Sequence, residues 1–302
     1  MRRGRVRCLL VIAAIVAAAA LLVVKTTTAQ AGLGSHAGRS LAAKMHAERT
    51  SPADLELSGD LAGVPRGESR FLTREDLLAI SQPMTISPDD GNFKQATQVR
   101  GVPLEDLIHA LLVPSNDMVL ADCKDKYQAH YERRYLADYH PVLVTALNGA
   151  PLTESEDDDY GPYMIAHVNF KMATKDPELN DEPQIPWGVV RLQFRDEDTA
   201  LSPIAPRIAN RSKAIAYGIA EENCLRCHNV GDLGGLKSGV NWTVLGALAA
   251  KSPDFFAAYV RDPKSKNPHT RMAASPQYDD ATMALLIDYF RKFAPANRKG
   301  TH

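Results

Sequence analysis

The sequence predicts an α+β protein in which a mixed, strand-rich domain precedes a small all-α domain. Short apolar runs bounded by turn residues recur between residues 67 and 200, as is typical of strands. Nearer the C-terminus, apolar residues recur at spacings of three, four and seven, as is typical of amphipathic helices. The two patterns meet at residues 201–210, a proline-containing segment that we interpret as a linker. With 302 residues, 45% of them apolar, the chain is long enough for two cores.

The first 31 residues have the layout of a secretory signal peptide. Four arginines precede an apolar run at residues 9–24, which leads to a small-x-small site ending at Ala31. Because a bilayer core needs about 20 apolar residues, the run favours cleavage after Ala31 over an uncleaved membrane anchor. We therefore expect a periplasmic or otherwise extracytoplasmic protein that contacts a membrane only if this segment is retained. Residues 32–66, rich in Ala, Gly, Ser and charge, are interpreted as a linker.

The strand-rich domain is expected at residues 67–200. Its predicted strands are residues 118–121, 142–147, 164–168 and 189–194. A short amphipathic helix is predicted at residues 104–112, directly after a Gly-Val-Pro turn. The domain is therefore mixed, with strands in the majority.

The chain has four cysteines, and their positions point to redox or metal chemistry. Cys8 lies in the signal segment, Cys224 and Cys227 are close neighbours, and Cys123 stands alone, so no disulfide framework can be built. In an exported chain, a close pair indicates a redox dithiol, half of a metal site or thioether attachment of haem.

The residue after the second cysteine favours haem, because residues 224–228 read Cys-Leu-Arg-Cys-His. This spacing places two thiols to bond the haem vinyl groups and an imidazole behind them to bind iron. A zinc site needs further Cys or paired His nearby, and a thioredoxin-like motif should follow a strand. The motif thus predicts one covalent haem c on Cys224 and Cys227, with His228 as an axial iron ligand.

Residues 211–294 resemble a class I cytochrome c domain, which we place at residues 211–298. Gly218 lies six residues before Cys224, where the family's first helix packs closely against its last. The last helix is predicted at residues 279–293, with an inner stripe made by Met283, Leu286, Ile287 and Phe290. Tyr289 and Phe290 stand where the family packs an aromatic ring against the first helix.

The same resemblance implies that Met272 is the second iron ligand. Residues 253–261 are predicted to be helical and lead into a loop similar to the family's methionine-bearing loop, although Ala273 replaces a common proline. A thioether favours ferrous iron, so His/Met ligation gives a six-coordinate iron with a raised potential. His269 is the alternative ligand and would lower the potential, whereas Met283 is expected to be a core side chain.

Five short segments of the first domain resemble, in order, the sulfite-oxidase-type molybdopterin-binding domain. They are residues 100–107, 120–127, 148–152, 161–163 and 186–189. The family's metal-binding cysteine precedes the first segment, where residues 81–100 contain none, and Cys123 falls well after that position. The resemblance therefore implies the fold without the molybdopterin cofactor.

Charge divides the chain at the same boundary. Residues 32–210 have 17 Lys plus Arg against 28 Asp plus Glu, a net charge of −11, whereas residues 211–302 have 13 against 8, a net charge of +5. Opposite charges favour attraction between the halves, or leave a basic haem rim for an acidic redox partner. The sequence has no basic aromatic patch for nucleic acid.

These expectations favour a periplasmic monohaem c-type cytochrome that exchanges electrons with a redox protein partner, with the first domain as a docking module. Such a carrier has no catalytic residues. One alternative is a molybdenum-dependent sulfite-type dehydrogenase with a fused haem domain. The other is a non-catalytic haem subunit of a larger dehydrogenase complex.

Overall fold

The structure is a computed structural model that describes residues 41–113, 118–152, 161–168, 170, 183–206 and 211–296. The predicted signal peptide and the first part of the predicted 32–66 linker lie outside these residues. Within the described ranges, no helix is long and apolar enough to cross a membrane.

The first region is built on one mixed sheet, to which the described residues contribute ten strands. The strands are β1 (Leu55–Gly59), β2 (Arg70–Leu72), β3 (Gln82–Ile86), β4 (Thr97–Pro103), β5 (Met118–Cys123), β6 (Gln128–Tyr131), β7 (Pro141–Leu147), β8 (Ala150–Pro151), β9 (Tyr163–His167) and β10 (Trp187–Arg195). The main order is β2-β1-β10-β9-β7-β4-β3, with β5 and β6 added at β10 and β8 at β7. The β1–β10 pair is parallel, and the other described pairs are antiparallel.

Short helices cover this sheet. They are α1 (Arg74–Ile80), α2 (Leu104–Ala110), α3 (Arg133–Tyr139) and α4 (Glu197–Leu201). Helix α1 begins at Thr73, whose hydroxyl oxygen accepts a hydrogen bond from the Asp76 backbone N–H. Helices α1 and α2 pack against β4 and β7, and their Leu77 and Leu107 are fully buried in the core.

The second region is helical. Helix α5 (Arg211–Ile219) continues into a π-helical turn (Ala220–Cys224), followed by α6 (Trp242–Lys251), α7 (Pro253–Arg261), α8 (Pro263–Lys266) and α9 (Asp280–Arg291). Helix α9 packs on α5 and α6, and the Tyr217 and Tyr289 rings meet edge to face. A Cβ atom at Gly246 of α6 would overlap Ala294 N and lie 2.7 Å from Phe290 O, so a glycine there permits the close approach.

The predicted α+β class is confirmed, and so are the four predicted strands and the helices predicted at residues 104–112, 253–261 and 279–293. The linker prediction for residues 32–66 is wrong where it overlaps β1. Leu55 and Leu57 are fully buried, and β1 pairs with β10 far along the chain. Its five residues are too few for a local pattern to reveal a partner so distant in sequence.

The predicted linker at residues 201–210 is also packed where it is described. Leu201 and Ile204 are buried in the apolar cluster of the second region. The Tyr289 hydroxyl donates a hydrogen bond to the Ile204 carbonyl oxygen over 2.8 Å. Residues 207–210 lie outside the described ranges.

Strand β5 also enters this cluster, so the two regions share one apolar seam. Met118 and Leu120 of β5 are fully buried against side chains of α5, α6 and α9. Hydrogen bonds continue the seam, because Gln128 N donates to Arg226 O over 3.1 Å and Leu236 N donates to Lys126 O over 2.8 Å. Strand β6 and the turn before it thus hold the segment that carries the paired cysteines.

Candidate cofactor site

The paired cysteines lie on one tight turn at the end of the π-helical segment. Leu225 N donates to Ala220 O over 3.0 Å, and His228 N donates to Cys224 O over 2.9 Å. Cys224 and Cys227 are both unpaired and partly exposed. Two free thiols about one helical turn apart can bond one edge of a flat ligand.

His228 follows the second thiol and is held by one ring nitrogen. Its Nδ1 lies 2.7 Å from the Val240 carbonyl oxygen and 2.9 Å from the Ser238 hydroxyl oxygen. An N–H at Nδ1 donates to that carbonyl, which fixes the tautomer and leaves the Nε2 lone pair for a metal. Burial lowers the pKa of His228, which favours the neutral imidazole that a metal ligand needs.

The loop after the motif is fastened to it by backbone hydrogen bonds. Gly235 N donates to Leu225 O over 2.8 Å, and Trp242 N donates to Asn229 O over 2.9 Å. A Cβ atom at Gly235 would overlap the Arg226 carbonyl oxygen. The backbone at Gly235 therefore approaches the backbone of the motif too closely for any residue other than glycine. These hydrogen bonds fasten the loop on both sides of Val240, whose carbonyl oxygen bonds His228.

Met272, the predicted second iron ligand, lies in the loop between α8 and α9. It is partly buried and lines a cavity of about 460 Å³ together with residues of its own loop and of α8. None of the residues around this cavity belongs to the Cys224–His228 motif. The alternative ligand His269 is exposed, whereas Met283 is 2% exposed in the apolar cluster, as expected of a core side chain.

Three large apolar side chains of the second region are left open to solvent. Leu236, Val244 and Phe255 are 57%, 52% and 45% exposed, and all three follow the motif in sequence. Exposed apolar side chains of this size are typical of a binding surface. Two free thiols and an oriented imidazole on one turn fit a covalently bound haem.

Cys123 lies at the end of β5 and lines a second cavity, of about 520 Å³, with Trp187, Arg226 and Lys237. Burial raises the pKa of its thiol far above the usual range, and the nearby Asp125 and Asp122 carboxylates raise it further. In the absence of a bound cation this thiol is therefore protonated. Over the described ranges, no group of three His, Cys, Asp or Glu side chains is arranged to hold a metal ion.

A buried ionisable cluster at the seam was not predicted from the sequence. His130 of β6 and Glu221 of the π-helical turn are 1% and 4% exposed, with His130 Nε2 2.5 Å from Glu221 Oε1. Glu132, directly after β6, is hydrogen-bonded to Glu221, and the Arg226 guanidinium lies beside them. We refer to His130, Glu132 and Glu221 as the seam cluster. No local pattern brings together two residues so far apart in sequence.

Burial controls protonation within the seam cluster. It lowers the pKa of His130 to about 4, which keeps the imidazole neutral. Burial and the neighbouring Glu221 raise the pKa of Glu132 to about 9, so Glu132 carries a proton and donates it in the hydrogen bond to Glu221. Burial also raises the pKa of Glu221 to about 7, against the lowering effect of that hydrogen bond. One proton is thus shared between two carboxyl groups.

No protein-family model matches the chain, and no curated protein matches it. The functional interpretation therefore depends on the residues described above. The resemblances to a class I cytochrome c and to the sulfite-oxidase-type domain rest on the short motifs quoted above. The strongest of these motifs is the Cys224–His228 turn.

Proposed function

We propose that the chain is an exported c-type cytochrome that carries one haem, bound covalently by Cys224 and Cys227, and exchanges single electrons with a redox protein partner. The observation that carries the proposal is the motif turn itself. Both thiols are free on one turn, and His228 is held at Nδ1 by the Val240 carbonyl, with Nε2 left over. When bound, haem supplies an iron that changes its charge by one electron.

The residues of the chain have distinct roles in this proposal. Cys224 and Cys227 would hold the haem covalently, and the His228 imidazole and the Met272 thioether would bind its iron. The Val240 carbonyl sets the orientation of His228.

The first region is proposed to act as a docking module. Its net charge of −11 stands against +5 for the second region. The ion pairs Lys237–Asp125 and Arg195–Asp232 both cross the seam, which supports attraction between the halves. The surface of the first region beyond the seam is then available to a redox partner, whose encounter rate depends on charge.

Covalent haem is tested by exchanging Cys224 and Cys227 for Ala in a host that attaches haem to exported proteins. Thioether bonds survive denaturation, so wild-type protein should keep its haem stain on a denaturing gel and the double variant should lose it. Cys123→Ser is the matched control and should stain like wild type. An unstained wild-type band would contradict the proposal.

The second ligand is tested by the weak long-wavelength absorption that sulfur-to-iron bonding gives in class I cytochromes. Met272→Ala should abolish this band, and Met283→Ala, which truncates a buried core side chain, should keep it in the folded fraction. A band that persists in Met272→Ala would mean that another sulfur binds the iron. Absence of the band from haem-loaded wild type would contradict Met272 and favour His269, whose imidazole has no sulfur to give this absorption.

Elemental analysis separates the carrier from a molybdenum enzyme. Protein purified from a host that makes molybdopterin should contain about one iron per covalently bound haem and essentially no molybdenum. Stoichiometric molybdenum that is lost in Cys123→Ser would identify Cys123 as its ligand and replace the carrier with a dehydrogenase.

A further inference from the structure

We propose that the seam cluster is a proton-binding site that couples proton uptake to the one-electron reduction of this chain. When a redox partner delivers one electron, the carboxylate shared by Glu132 and Glu221 takes one proton from water. Reoxidation returns the electron to an acceptor and the proton to water. The inference rests on the proposed function, because the electron requires a bound redox cofactor.

The cluster is a buried group of ionisable side chains rather than a solvent-exposed acidic surface. His130 and Glu221 are almost fully buried, and they approach to 2.5 Å across the seam between β6 and the π-helical turn. His130 Nδ1 is a buried nitrogen with no hydrogen-bond partner among the described residues. A proton or a charge in such a place is poorly screened, so its energy depends strongly on nearby charge.

The charges that face Glu221 come from every neighbouring element. Strand β6 and the residue after it contribute His130 and Glu132, helix α4 contributes Glu197, and the motif contributes Arg226. The phenols of Tyr217 on α5 and Tyr289 on α9 also interact with Glu221. Three carboxyl groups therefore face one guanidinium and a neutral imidazole, and retention of one proton brings the cluster closer to neutrality.

The cluster is adjacent to the cofactor attachment point. Glu221 precedes Cys224 by one turn on the same π-helical segment, and the Tyr289 hydroxyl interacts electrostatically with both of them. An electron added at the cofactor places negative charge near the shared carboxylate and raises its affinity for a proton. Because burial places the pKa values of Glu221 and Glu132 at about 7 and about 9, both protonation states are accessible near neutral pH.

The test is the reduction potential of the haem-loaded protein between pH 5 and 10, measured for wild type, Glu221→Gln and Asp232→Asn. One proton per electron changes the reduction equilibrium tenfold per pH unit, or about 59 mV. The potential of wild type should be flat below about pH 7 and should fall with this slope at higher pH, where Glu221 loses its proton in the oxidised protein. Glu221→Gln should lose the slope. Asp232→Asn removes an acid whose side chain is 83% exposed and should keep the slope.

The same slope in Glu221→Gln and wild type would overturn the inference, as would a wild-type potential that does not change with pH. These outcomes differ from failure of the proposed function, in which no covalent haem would be present to titrate. If Glu221→Gln does not fold, Glu132→Gln takes its place. Infrared difference spectra of wild type provide a second measurement, because reduction near pH 8 should increase the protonated-carboxyl signal. Its absence would also overturn the inference.

Discussion

One histidine of the sheet region and one of the helical region are held in different ways. In the sheet region, His167 is fully buried and both ring nitrogens are engaged, Nδ1 by Asp90 at 2.6 Å and Nε2 by the Tyr135 hydroxyl at 3.1 Å. In the helical region, His228 is partly exposed and engaged at Nδ1 alone by the Val240 carbonyl and the Ser238 hydroxyl. An imidazole with both nitrogens bonded holds the fold together, whereas one with a nitrogen in reserve can bind a metal.

The largest loss of stability that this comparison predicts comes from removing the Asp90 carboxylate. Its Oδ1 accepts hydrogen bonds from both His167 N, over 2.7 Å, and His167 Nδ1, and Asn92 bonds its other oxygen. Asp90→Ala leaves these buried donors without acceptors, so we expect the free energy of unfolding to fall by roughly 3–5 kcal/mol. Denaturant titration measures this change.

The neighbouring Asp89 is the control, because it is exposed. Asp89→Ala should change the free energy of unfolding by no more than about 0.5 kcal/mol. If Asp90→Ala were as mild as its neighbour, His167 would not be a structural residue and the contrast between the two histidines would fail.

The second effect is a pH dependence that originates at the seam. Glu132 and Glu221 have ordinary pKa values near 4.5 when unfolded and raised ones when folded, so their stabilisation is complete below that value and declines as pH rises through about 7 to 9. His130 has a lowered pKa and costs stability only as pH falls below about 6.5. Stability should therefore fall by about 3–4 kcal/mol between pH 6.5 and 9.

Unfolding measured at several pH values checks this expectation. Glu221→Gln, which keeps the shape of the side chain but cannot ionise, should flatten the decline above pH 6.5. A decline as steep as that of wild type would place its origin outside the seam cluster.

A smaller effect is expected within the helical region, where α6 and α9 approach each other. Gly246→Ala would gain helix propensity, but its Cβ atom overlaps backbone atoms of Ala294 and Phe290. Backbone cannot move aside cheaply, so we expect a loss of about 1–3 kcal/mol. The exposed Thr243 of the same helix provides the control, Thr243→Ala, which should be nearly neutral. A more stable Gly246→Ala protein would disprove the close approach.

The smallest effect should come from the surface charges that cross the seam. Asp232 pairs with Arg195 at 3.4 Å, yet its side chain is 83% exposed. Exposed ion pairs contribute little, so Asp232→Asn should lower the free energy of unfolding by less than about 1 kcal/mol. A larger loss would mean that surface charge, rather than the buried contacts of β5 and β6, joins the two regions.

Much of the fold could be predicted from local pattern. The runs that became β5, β7, β9 and β10 alternate or are continuously apolar, and α7 and α9 have strong helical periodicity, so their sequences contain the evidence for their structure. Strand β1 could not be recognised in this way, because its burial results from pairing with a strand more than a hundred residues later. Helix α6 is apolar on most faces, so its sequence lacks the alternation of polar and apolar positions from which a helix is recognised.

The candidate site divides in the same manner. Cys224, Cys227 and His228 lie close enough in sequence for their spacing to predict a haem-attachment motif, and the structure places them on one turn. The Val240 carbonyl is a backbone atom and leaves no signal in residue type. The seam cluster joins β6 to the π-helical turn through tertiary contact, and isolated glutamates ordinarily indicate exposed positions.

The parallel pairing of β1 with β10 sets the order in which the molecule can be completed. The ribosome synthesises β1 first. Its parallel partner β10, in which Arg191 lies opposite Glu56, is synthesised only after every other strand of the sheet. Closing so long a loop is entropically costly and slow, whereas β2, which pairs with the other edge of β1, follows it directly in sequence. The Cys224–His228 turn emerges later still and rests on β6. The parallel contact of β1 with β10 is therefore completed late, when β1 is already able to pair with β2, and the Cys224–His228 turn is placed on β6 after the sheet strands are available.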